Sequence, residues 1–96
     1  MPYTKYSICA TLLIVNNKRN AKYLKAFGEH FRKVRKNQGM TMMELAFEAD
    51  VEYSQIAKIE RGVINTTIST IQILAQALGV TPPELFQFNF PAKPGK

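Results

Sequence analysis

Apolar residues recur every three or four positions along most of this chain, the spacing of helices with one buried face. Leu24, Phe27, Phe31 and Val34 form such a stripe, which predicts a first helix running to Gly39. Thr41 with Glu44 three residues later is a capping box, and the short helix it opens turns Leu45 and Ala46 inward. Ala46 is small enough to let another helix cross closely. A third helix, Glu52 to Arg61, buries Ile56 and Ile59 and stops at Gly62, a residue suited to a left-handed cap. Ile68, Ile71, Leu74, Ala75 and Leu78 give the buried face of a fourth helix that ends at Gly79. Thr81, Pro82 and Glu84 then start a short fifth helix holding Leu85 and Phe86. The pattern predicts an all-α fold of five helices over residues 21–90, with a fraying tail over 91–96.

Residues 1–20 do not share this rhythm. Ile8 to Val15 (ICATLLIV) is a largely apolar run of eight, far short of the ~20 residues that cross a bilayer. Lys5 is the only charge before it and NNKRN follows it, which makes a poor signal peptide. Three readings stay open for this extension: an arm exchanged between subunits, a strand or strap on its own domain, or a disordered segment.

The second and third helices, joined by a tight corner at Asp50, have the form of a helix-turn-helix, a unit that lays its second helix in a DNA major groove. Charge points the same way. The chain has 13 Lys and Arg against 7 acids, for a formal net charge of +6. Lys18, Arg19, Lys22, Lys25, Arg32, Lys33, Arg35 and Lys36 face only Glu29, a cluster that suits a polyanion as well as a plain solvated face.

A domain of this size buries only ~60% of its unfolded surface, which leaves little room for a deep catalytic cleft. The single histidine, His30, sits beside Phe27 and Phe31 and reads as structural. One cysteine, Cys9, excludes an intrachain disulfide and a cysteine metal site, and fits a reducing cytosol. No catalytic residues, metal or cofactor are expected.

The segments FGEHFRKVRKNQGMT, MELAFEADV, SQIAKIERGVINTT and ISTIQILAQALGVTPPELF, taken in order, resemble the Xre/Cro-like family of phage and bacterial repressors. Two positions depart from the family pattern. Asp50 stands where glycine is usual, and Met42 stands where glutamine often contacts phosphate.

The resemblance implies a phage repressor-like DNA-binding domain acting in the cytoplasm as a dimeric transcriptional regulator on a palindromic operator. Carried over position by position, it places Tyr53, Ser54 and Lys58 at bases, and Thr41, Gln55, Arg61, Asn65 and Thr66 at phosphates. Glu52 either accepts from a cytosine amino group or complements the helix N-terminus. Arg35 and Glu60 match a family pair that buttresses the recognition helix. The surplus aromatic surface of Leu85, Phe86, Phe88 and Phe90 is the expected homodimer contact. A restriction–modification controller is one variant of this function. A different class is the antitoxin of a toxin–antitoxin pair, with a toxin protein as partner and DNA binding serving autoregulation.

Overall fold

A computed structural model describes residues 19–91. The extension, except Arg19 and Asn20, and the tail beyond Pro91 lie outside the described residues, as do all three readings of Ile8–Val15. Within the described residues there are four α-helices and a closing 3-10 helix, and no strand.

Each helix begins on a side-chain cap or an extended residue and ends where the backbone turns left-handed or tightens. Helix α1 spans Ala21–Asn37 and is capped by Asn20, whose carbonyl side chain accepts from the Tyr23 amide at 2.9 Å. Helix α2 spans Met42–Ala49 behind the Thr41–Glu44 box: the Glu44 amide donates to the Thr41 hydroxyl at 3.0 Å, and the Thr41 amide to the Glu44 carboxylate at 2.9 Å. Asp50 ends α2 at φ 55°, a left-handed conformation that Asp tolerates better than most side chains. Helix α3 spans Tyr53–Arg61, with Glu52 as an N-cap that makes no side-chain cap bond. Helix α4 spans Ile68–Leu78 behind Thr67, whose hydroxyl accepts from the Thr70 amide at 3.2 Å.

The predicted fifth helix is a 3-10 helix, Pro82–Phe86, a short connector of the kind this geometry favours. Its start is fixed by Glu84, which accepts from both the amide and the hydroxyl of Thr81 at 3.0 Å. Those two bonds, the backbone one foremost, hold the Glu84 carboxyl below its ordinary pKa.

Helix α1 packs across α3, α2 packs on α3 and α4, and the 3-10 helix closes over α1 and α4. Phe31, Leu45, Ile56, Leu74 and Leu85 are fully buried at the centre. Two expectations need correction. Ile68 is 88% exposed, because as the first residue of α4 it projects past the layer that covers Ile71 and Leu74. Leu85 is buried in the chain's own core and offers nothing to a second copy.

The closest helix crossing is also not at Ala46, which is only half-buried. It lies at Gly28, where an added Cβ would collide with the carbonyl oxygens of Ile59 and Glu60. Gly62, at φ 73°, reinforces it: a Cβ there would stand 2.5 Å from the Lys25 Cα. Together these glycines let α1 and the end of α3 touch backbone to backbone, which sets how far α3 projects.

Candidate nucleic-acid interface

Ile56 and Ile59 anchor α3 to the core, so its outer face is fixed by helical period. Tyr53, Ser54, Lys58 and Arg61 are exposed on that face, while Gln55 and Ala57 are half-buried at its edges. Ala57 presents no bulk there, leaving the axis of the helix free to approach a groove wall.

The helix is held by a charge pair that spans 25 residues of sequence. Arg35 is 6% exposed, and its guanidinium binds Glu60 through two nitrogens: Nε donates to Oε2 at 2.5 Å and Nη2 to Oε1 at 3.1 Å. Nη1 donates to the Met40 carbonyl at 2.7 Å, which ties the α1–α2 turn into the same unit. A planar two-point contact fixes angle as well as distance. The last turn of α3, the end of α1 and the start of α2 therefore move together.

Two shallow concavities flank this face and share Arg35, Met42 and Tyr53 in their walls. Lys36 and Thr41 line one, and Arg32, Ala57 and Arg61 line the other. Arg32 and Lys36 were visible in the sequence only as part of a basic cluster. Their spacing of four residues on α1, off the Phe27–Phe31 stripe, is the signal that places both on the α3 side. Among the described residues the only salt bridge is Arg35–Glu60, so Arg32, Lys36, Lys58 and Arg61 have no acidic partner within reach.

The remaining expected phosphate contacts divide. Thr41 is exposed and its amide is taken by Glu44, but its hydroxyl, which accepts from the Glu44 amide, still has a proton to donate. Asn65 is exposed on the α3–α4 loop. Thr66 is not available: its hydroxyl oxygen is buried and has no hydrogen-bond partner among the described residues.

His30 fills the structural role foreseen for it. Its Nε2 lies 2.8 Å from the Glu84 carbonyl, which can only accept, so Nε2 carries the proton. Its ring packs on Phe88 at 5.6 Å. The C-terminal aromatics as a group fold back onto α1: Phe86 lies 5.0 Å from Phe27, and Phe88 and Phe90 lie 5.2 and 5.0 Å from Tyr23. Phe86 and Phe90 remain 44% and 37% exposed.

This arrangement of capped helix, left-handed corner and outward cationic helix coincides with a known family. The helix-turn-helix family model matches residues 31–85, from the middle of α1 through Leu85. The chain belongs to this family. It is an Xre-like, DNA-binding transcriptional regulator. Control protein C.BamHI of Bacillus amyloliquefaciens is 38% identical over 64 residues, covering 66% of this chain and 79% of that protein. The immunity repressor of Bacillus phage phi105 is 36% identical over 53 residues, covering 55% of this chain and 37% of its own length. Among solved structures, the restriction–modification controller protein C.AhdI of Aeromonas hydrophila matches with a TM-score of 0.64 at 36% identity, over 66% of this chain and 96% of that one. No helix among the described residues is long and apolar enough to cross a membrane, and no cluster of His, Cys, Asp or Glu there could hold a metal ion.

Proposed function

We propose that the protein is a controller-type regulator that binds a palindromic operator as a homodimer in the cytoplasm, with α3 in the major groove of each half-site. The observation that carries this reading is the outer face of α3, where Tyr53, Ser54 and Lys58 stand clear of the core between cations on α1 and Arg61. Lys58 donates to guanine O6 and N7, Ser54 bonds a neighbouring base edge, and Tyr53 meets a thymine methyl or a phosphate. Arg61, Arg32, Lys36, Gln55, Asn65 and the Thr41 hydroxyl hold phosphates, which set register without reading sequence. Glu52 complements the N-terminus of α3. Arg35 and Glu60 are positioning residues that fix the angle at which α3 enters the groove.

One helix reads too few base pairs for useful specificity, so two half-sites about 34 Å apart are needed. Phe86 and Phe90, with the edge of Phe88, are the proposed contact between copies. Likeness to C.BamHI and C.AhdI supports the controller reading over a stand-alone phage repressor or an antitoxin.

Selection of bound duplexes from a random DNA pool tests the proposal. A palindrome with half-sites one helical turn apart is the expected product. At about four phosphates per subunit, log K should fall against log salt with a slope of about −7. Recovery of no preferred sequence, or affinity that ignores salt, would overturn it.

A further inference from the structure

Met42 and Tyr53 are each the first residue of a helix, α2 and α3. Long side chains on a helix lean toward its N-terminus, so both reach past the starts of their helices. They stand together in the walls of both hollows that flank the outer face of α3. The third residue common to the two hollows is Arg35, which is buried and has its guanidinium committed to Glu60 and the Met40 carbonyl. The exposed surface that divides the hollows is therefore a thioether beside an aromatic ring. It is apolar, yet cations stand on either side of it: Arg32 and Arg61 line one hollow and Lys36 the other.

We infer that Met42 and Tyr53 together read the 5-methyl group of a thymine, which makes Met42 a specificity-determining residue. The inference deepens the reading of α3 as a major-groove helix and rests on it. Cations on either side meet phosphates, and what a groove presents between its phosphates is base edges. Most groups on those edges are hydrogen-bond donors or acceptors, and the apolar one is the thymine methyl. A ring and a thioether pressed on an amino or carbonyl group would strip its water and return no strong hydrogen bond. Pressed on a methyl, they remove apolar surface from water on both sides.

Met42 suits this task by its chemistry. Its thioether has no proton to donate, so it cannot clamp a phosphate as its cationic neighbours do. Packing against the core accounts for only part of the side chain, which stays half-buried. Met40 and Met43 line the first hollow but not the second, so among the three methionines only Met42 stands beside Tyr53 in both. An unbranched thioether bends to fit an irregular surface and is a favourable neighbour for an aromatic ring. Tyr53 is 49% exposed, enough for its ring to take part in the contact. Its hydroxyl, at the tip of the ring, stays free for a phosphate.

Deoxyuridine scanning of the selected operator with the full chain tests this. Each thymine of a half-site is replaced in turn by deoxyuridine, which removes the 5-methyl and nothing else. One thymine per half-site should then bind about fourfold more weakly, the ratio for leaving one CH₂-sized group unburied. The same change in both half-sites should cost about fifteenfold. That ratio should hold from low to moderate salt while overall affinity falls, because burying a methyl releases no counterions. Met42→Gln, of similar length but polar, should bind the thymine and deoxyuridine operators alike. Met42→Leu and Tyr53→Phe should keep the preference, since each retains the apolar surface. A half-site without thymine, or a parent protein indifferent to every deoxyuridine, would overturn the methyl contact. A preference that survives Met42→Gln unchanged would overturn the role of Met42. Specific binding without a deoxyuridine effect brings down this inference alone, whereas a pool that yields no preferred sequence brings down the DNA reading with it.

Discussion

Helix α3 and the C-terminal segment Pro82–Phe90 are both short and both mix apolar with polar residues, yet they behave differently. On α3 the division between inner and outer faces follows from period alone: Ile56 and Ile59 go in, and Tyr53, Ser54, Lys58 and Arg61 stay out. In the C-terminal segment, Leu85 and Phe86 are neighbours, yet one is fully buried and the other 44% exposed. Phe88 and Phe90, which look like surplus aromatic surface, spend much of it on Tyr23 and His30 of α1. A regular helix of eight or more residues carries its orientation in its own sequence. A short 3-10 piece followed by an irregular tail takes its orientation from what it packs against.

The largest expected effect breaks the support of α3. Glu60→Ala leaves the Arg35 guanidinium buried and unpaired, a loss of about 3–5 kcal/mol that urea unfolding would measure. Replacing the pair together should cost less than the sum of the single changes. Additive losses in that cycle would mean that the two side chains do not act as a unit.

Next in size is the core half of the C-terminal segment. Leu85→Ala should cost about 2–5 kcal/mol of stability, as expected for a fully buried leucine. Phe90→Ala should leave stability within about 1 kcal/mol of the parent, while weakening self-association in sedimentation. Loss of stability without a change in association would assign Phe90 wholly to its own chain.

Smaller effects separate reading from clamping on α3. Lys58→Ala should cost about 1–3 kcal/mol on the selected operator and less on a scrambled duplex. Arg61→Ala should weaken both duplexes alike and lower the salt slope by about one per half-site. Equal weakening of both duplexes by Lys58→Ala would remove that residue from base reading.

The smallest effect is a pH dependence in the C-terminal segment. The Glu84 carboxyl is held below its ordinary pKa by Thr81, so its contribution is present above the unfolded value and disappears as pH falls through the folded one. Glu84→Gln should flatten acid unfolding slightly in that window, and an unchanged profile would show the capping bonds to be without consequence for stability.

Four helices, the capping boxes at Thr41 and Thr81, the place of the corner at Asp50 and the outward set on α3 were legible in the residues themselves. All of these depend on residues within about four positions of one another, the range of a helix hydrogen bond or a capping box. Contacts between distant segments settled what remained. They brought Arg35 onto Glu60 in a two-point contact, pressed Gly28 against the backbone of α3 and buried Leu85 beside an exposed Phe86. They also turned the Thr66 hydroxyl away from solvent and left Ile68 exposed. Periodicity states which residues share a face, but burial depends on what lies across from that face, and that is fixed only when distant helices meet.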